Sequence, residues 1–271
     1  MEVWPKPKCS SPQHFDPLPQ QVGGYGIGAA VLGNATFICG GRWQKSFNGE
    51  VSDKCFKSCN GTWQPSAGMQ LARSFHTLTR VGHRLVATGG LGRGGRNDSL
   101  SSVEIYEPDR GWQVAEWSLN HADYYHCAVP ADDFHLIIKA GFRGSTKPWG
   151  SPGMEIIRYN IDTGAQTSIE SPPGAWGGGN GCVKDGDNIY LVDWQNVGEY
   201  KVFNYSLRLN EWIDGLPNLH VGYVEGMAVV AGELAVFDRE RNVQILRDSA
   251  WVPVQQETQG VLKIGAVVVL P

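Results

Sequence analysis

The segment Gly90-Leu-Gly-Arg-Gly-Gly95 has the spacing G-x-G-x-x-G, and the apolar run Arg84–Thr88 leads into it. In a dinucleotide-binding turn such glycines admit a pyrophosphate to backbone N–H groups at the start of a helix. Here Arg96 to Tyr106 is polar and then β-patterned, so the helix is missing and the phosphate reading fails. Tyr124, His126 and Cys127 bring three copper-type ligands together in sequence, but alternation along a strand sends neighbours to opposite faces. Of the seven histidines only His76 and His126 occupy places from which they would meet. Cys55-x₃-Cys59 without a second cluster is not a zinc pattern. No G-x-S-x-G, H-E-x-x-H or glycine-lysine phosphate loop occurs. No catalytic residue, metal or cofactor is expected, which leaves aromatics and arginines as the candidates for chemistry.

What must position them is a repeat. "GIGAAVLGNATFICGG" (Gly26–Gly41) recurs as "SFHTLTRVGHRLVATGG" (Ser74–Gly90) and as "YHCAVPADDFHLIIKAGF" (Tyr125–Phe142). It returns as "NGCVKDGDNIYLVDW" (Asn180–Trp194) and "EGMAVVAGELAVFD" (Glu225–Asp238). Each copy is an apolar strand, a Gly/Asp/Asn turn and a second apolar strand, the pattern of strands buried on both faces. Third strands follow, such as "SSVEIYEP", "MEIIRYNI" and "EYKVFNYS", and then a tryptophan: Trp63, Trp112, Trp212 or Trp251. The third copy has Gln166-Thr167 where the others have tryptophan.

These residues resemble the kelch family of β-propellers. Its double glycine stands at Gly40-Gly41 and Gly89-Gly90, and its Tyr-then-Trp pair at Tyr106 and Trp112. Later copies depart from the glycine pair, with Ala140-Gly141, Val192-Asp193 and Phe237-Asp238. The resemblance implies a single all-β propeller with blades near 23–69, 70–118, 119–170, 171–215 and 216–254. A sixth blade is expected from both ends, residues 1–22 with 255–271, because "MEVW" reads as a third strand and "KIGAVVVLP" as a first. Closing the ring would bury two open edges.

In such a ring the loops entering first strands share a face with those joining second to third strands. That face would gather Tyr25, Arg42, Trp43, Phe75, Arg93, Tyr124, Arg143, Trp149, Trp176, Trp194 and Tyr223. Rings stack and guanidinium groups make bidentate bonds, so the channel mouth is expected to bind a small molecule, a glycan or a protein. Some kelch-type propellers act on sialic acid through arginines and an acid, a role that Arg42, Arg93, Arg143 and Glu225 would imitate. A structural protein assembling with copies of itself is the third reading, and a fold-level resemblance does not choose among them.

The bulk of the sequence excludes other classes. A net charge of −4 and a pI near 6.0 leave no footprint for nucleic acid. No apolar run approaches the ~20 residues of a membrane helix. Four N-x-[ST] sequons, at Asn34, Asn60, Asn97 and Asn204, exceed the one or so expected by chance from thirteen asparagines. Six cysteines fit disulfides in an oxidising compartment, but spacing leaves the pairing open. Cys127 and Cys182, in first strands of consecutive blades, are either linked or merely buried, and Cys9 and Cys39 each have Cys55 or Cys59 as an available partner. MEVWPKPKCSS lacks an apolar signal core, so the expectation is a secreted glycoprotein shown without its signal peptide.

Overall fold

A computed structural model of the chain describes residues 16–43, 49–142, 154–176, 181–196, 198–213, 215–240 and 242–254. They form five antiparallel meanders. Blade 1 contains β1 (Tyr25–Leu32), β2 (Ala35–Arg42), β3 (Cys55–Ser58) and β4 (Gln64–Ser66). Blade 2 contains β5 (Thr77–Val81), β6 (Arg84–Thr88), β7 (Ser102–Glu107) and β8 (Gly111–Ser118). Blade 3 contains β9 (Cys127–Pro130), β10 (His135–Lys139), β11 (Ile156–Asn160) and β12 (Gln166–Ile169). Blade 4 contains β13 (Cys182–Asp185), β14 (Asn188–Asn196), β15 (Glu199–Ser206) and β16 (Glu211–Ile213), with β17 (Leu219–His220) added beside β15. Blade 5 contains β18 (Val224–Val230), β19 (Glu233–Asp238), β20 (Val243–Arg247) and β21 (Ala250–Val254).

First strands pack in succession, β1 on β5, β5 on β9, β9 on β13 and β13 on β18, as in a propeller. The core therefore lies in the seams between blades. Phe37, Leu78, Leu85, Tyr106 and Trp112 fill the first seam, and Val86, Leu136, Ile138 and Tyr159 the second. Ile137, Ile156, Leu191, Phe203 and Tyr205 fill the third, and Val192, Val202, Met227 and Val236 the fourth.

Five blades stand among the described residues, not six. Most of the expected sixth blade, with "MEVW" and "KIGAVVVLP", falls outside the described residues. The part that is described, 16–22, forms no strand. Pro17 and Pro19 remove ladder donors there, and the segment instead braces blade 1. Asp16 N donates to Gly61 O at 2.8 Å, Trp63 Nε1 donates to Asp16 O at 3.1 Å, and Val22 packs with Ile27, Ile38 and Phe56.

The double glycines are where one blade bonds to the next. Gly41 N donates to Arg73 O at 2.9 Å and Gly90 N to Asp123 O at 2.8 Å. All four glycines have φ between +57° and +96°, and a Cβ on Gly40 would lie 2.3 Å from Arg73 O. The tryptophans do the same at the outer rim. Trp112 Nε1 donates to Ala67 O at 3.1 Å, Trp212 Nε1 to Glu170 O at 2.8 Å and Trp251 Nε1 to Pro217 O at 3.0 Å. Each ties its blade to the preceding one. Blade 3, with Gln166 at this position, is served from the other side: Trp117 of blade 2 donates to Ile161 O at 3.1 Å and stacks on Tyr159.

Two disulfides form, Cys39–Cys55 between paired residues of β2 and β3, and Cys127–Cys182 between the first strands of blades 3 and 4. Cys59 is unpaired, and Cys9 lies outside the described residues. Among the described residues no helix is long and apolar enough to cross a membrane.

Candidate functional site: the channel mouth

The glycine loop is settled by its own carboxylate. Gly94 N donates to Asp98 Oδ2 at 3.1 Å, and Gly92 N to Asp98 O at 2.8 Å. Only a three-residue 3₁₀ turn, Gly95–Asn97, follows. The N–H groups that would cradle a phosphate already hold Asp98.

The mouth is built by a repeated backbone geometry at the start of the first strands. Gly26, Phe75 and Tyr125 are equivalent: Phe75 N donates to Gly26 O at 2.8 Å, and Tyr125 N to Phe75 O at 3.1 Å. Their φ values are +64°, +55° and +53°. For two large aromatic residues that conformation costs about 1–3 kcal/mol each, which their surroundings must offset. It aims both rings the same way, and their centroids lie 4.3 Å apart. Tyr124 and Phe142 extend the cluster, at 5.8 Å and 6.1 Å from Tyr125.

Blade 5 adds charge to this patch. Arg239 Nε donates to Glu225 Oε1 at 2.8 Å, and its guanidinium lies 4.9 Å from the Tyr223 ring centre. Burial pushes the Tyr125 phenol up to about 12, and the Glu225 carboxylate adds to the shift while Arg239 and Arg42 oppose it. Blades 3 and 5 are thus electrostatically joined across the mouth. Arg42 supports from beneath: it is fully buried, donates from Nε to Ser74 Oγ at 3.0 Å and lies 5.5 Å from the Phe75 ring centre. Desolvation lowers its pKa, and the nearby Tyr125 phenol partly restores it.

Phe75 and Tyr124 therefore join one cluster, with Arg42 behind it, while Tyr223 sits above Arg239. Tyr25 pairs directly with Arg42 in the β1–β2 ladder and is half-buried. Trp43 is exposed and donates to Gln20 O at 2.7 Å. Trp176 is exposed, Trp194 half-buried, and Arg93 exposed on the glycine loop. Arg143 and Trp149 lie outside the described residues. The arginine-and-acid set of the sugar-modifying reading is not assembled among the described residues, because Arg42 is buried and Glu225 is held by Arg239.

Arg239 is a central residue absent from the expected site, whereas Tyr125 stands beside Tyr124 in a strand-entry loop expected at the mouth. Arg239 had a register signal: Tyr124 meets Phe142, Tyr223 meets Arg239 and Tyr25 meets Arg42, all at or just past the end of the second strand. Its repeat position was legible once the copies were aligned at their turns.

His76 and His126 lie below the mouth and wholly inside. His126 Nε2 shares a 2.8 Å hydrogen bond with Thr88 Oγ1, whereas both ring nitrogens of His76 are buried without one. Burial, with Arg73 nearby, takes His126 down to about 3 and His76 well below the usual range. Cys127 is spent in its disulfide, so the Tyr–His–Cys set offers no thiolate. Among the described residues no three metal-ligating side chains converge. Of the sequons, Asn34, Asn60 and Asn97 are exposed, whereas Asn204 is half-buried within β15.

No protein-family model matches the chain. It is 26% identical over 222 residues to Kelch-like protein 36 of Bos taurus, covering 76% of this chain and 34% of that one. It is 26% identical over 175 residues to Kelch-like protein 34 of Homo sapiens, covering 62% and 26%. Kelch domain-containing protein 9 of Homo sapiens is 28% identical over 113 residues, covering 41% and 32%. The chain thus spans about a third of the length of these relatives. The solved structure of YjhT superposes with a TM-score of 0.67 at 12% identity, over 87% of this chain and 85% of that one. With the repeated meanders, glycine seams and rim tryptophans, these similarities identify the chain as a kelch-repeat β-propeller.

Proposed function

We propose that this propeller is a secreted binding protein whose mouth face captures a segment of a partner protein. The observation that carries the reading is where exposed aromatics lie. Of the four large aromatic side chains exposed among the described residues, Trp43, Trp176 and Tyr223 are on the mouth face, and only Phe134 lies elsewhere. By strand topology they share a face with the Phe75–Tyr125 cluster, as do Arg93 and Arg239. Tryptophan, tyrosine and arginine are the residues that dominate protein interfaces. The half-buried rings at the centre would supply desolvated contacts, and the exposed Arg93 favours acidic side chains on the partner. Two disulfides and three exposed sequons support the secreted setting.

The test is a peptide-display selection on the purified protein, followed by affinity measurement of the enriched peptides. Enriched peptides should combine aromatic and acidic residues. Tyr223→Ala and Trp176→Ala should each weaken them by about tenfold or more, while Phe134→Ala leaves them unchanged. Equal binding by the mouth variants would remove this face as the site.

A further inference from the structure

On the side opposite the mouth, the seam between blades 3 and 4 opens into a groove of about 680 Å³. Ile137, Arg158 and Thr167 line it from blade 3, and Tyr205, Glu211 and Trp212 from blade 4. Strand register explains why it opens here. Tyr205 faces Trp212 across β15 and β16 as Tyr106 faces Trp112 across β7 and β8. In the first seam Phe37 of blade 1 covers that pair, 5.5 Å from Tyr106. Ile137 occupies the position of Phe37, since Phe37 pairs with Lys57 as Ile137 pairs with Arg158. The shorter aliphatic side chain leaves a hollow beside the pair, in which Tyr205 stays buried and Trp212 is half-buried. The second seam is filled differently, by Trp117 stacked on Tyr159.

The groove is chemically specific. Both rings are pinned, Tyr205 by donating its hydroxyl hydrogen to Asn210 Oδ1 at 2.7 Å and Trp212 by its bond to Glu170 O. Arg158 donates from one terminal nitrogen to Asp132 Oδ2 at 2.6 Å, while its Nε is buried with no hydrogen-bond partner among the described residues. Thr167 and Ser168 add hydroxyls, and Glu170 and Glu211 add carboxylates. An anion would meet those two carboxylates beside an arginine that Asp132 already neutralises. A neutral polyol suits both, because each hydroxyl donates to a carboxylate and accepts from a guanidinium. The C–H face of a pyranose also complements the electron-rich face of an aromatic ring. The volume lies in the range of about 300–1,000 Å³ typical of small-molecule sites.

We propose that this groove is a saccharide site taking a neutral pyranose unit or disaccharide, independent of the mouth and of what the mouth binds. The experiment is saturation-transfer NMR on the full chain with millimolar lactose, maltose, cellobiose and N,N′-diacetylchitobiose. At least one should show saturable transfer. Thr167→Trp, which projects a ring into the groove from an exposed position, should weaken that disaccharide by about tenfold or more. Arg158→Gln should weaken it as well, and decides the matter if Thr167→Trp does not fold. Tyr223→Ala at the mouth should leave it unchanged. No transfer from any of the four sugars, or transfer unaffected by the groove variants, overturns the proposal.

Discussion

Glu104 shows how much one side chain carries in a seam. Its carboxylate accepts from Arg73 NH2 at 2.9 Å, from Gln70 N at 2.5 Å and from Leu71 N at 3.1 Å, with both charged side chains fully buried. Arg73 also donates to Gly89 O at 2.8 Å and to Ser102 O at 3.1 Å. The crossing from blade 1 to blade 2 is thereby fixed to β7. Desolvation pulls the Arg73 pKa down, and Glu104 counters it. Removing one partner of such a pair leaves a buried charge uncompensated, at about 3–5 kcal/mol. Glu104→Gln should therefore lower unfolding free energy by that order, measured by urea denaturation, while an exposed charge such as Arg93→Gln changes it little. Neither residue is conspicuous in the sequence, because "LARSF" and "VEIY" read as a loop and an apolar strand. A polar residue inside a β pattern states its face but not its partner.

At the scale of strands, the seams predict a response to acid. His76 of the blade 2 entrance presses against Gly28 and Gly40 of blade 1, and His126 bonds to Thr88 of blade 2. Both are held neutral by burial, at pKa values depressed below those of the unfolded chain. The unfolded state thus binds more protons from about pH 6.5 down to the folded pKa, about 3 for His126. Stability is full above pH 6.5 and falls with acid, by up to about 1.4 kcal/mol per pH unit for each histidine. Denaturation midpoints between pH 7 and 4 check this, and His126→Asn should flatten the slope. The strands themselves were legible, since paired apolar runs and turn residues repeat. How the seams close was less so. Gln166 flags a missing rim tryptophan, yet nothing near it reveals that Trp117 of the previous blade supplies the replacement. Ile137 reads as one more core aliphatic, and only its register against Phe37 shows the opening beside it.

For the whole molecule, the repeat carried the architecture, because each copy restates the same meander and errors in one are corrected by the others. It misled at the N-terminal end, where prolines at 17 and 19 turn the described segment into a brace on blade 1 instead of a strand. The mouth was located by topology, and its membership then depended on backbone geometry. Left-handed φ at Phe75 and Tyr125 is not a conformation their residue types announce. The bond between Cys127 and Cys182 also governs how the ring would yield to a pull on its two ends. It spans 55 positions, so a stretching force bypasses most of blade 3 and its link to blade 4. Blades 1, 2, 4 and 5 would have to bear the load and unravel, while that enclosed length stays out of the force path. In single-molecule extension, reduction should release roughly 190 Å of additional contour length from this loop and roughly 55 Å from the 16-position loop of Cys39–Cys55, at about 3.5 Å per residue, and the native ring should never show either.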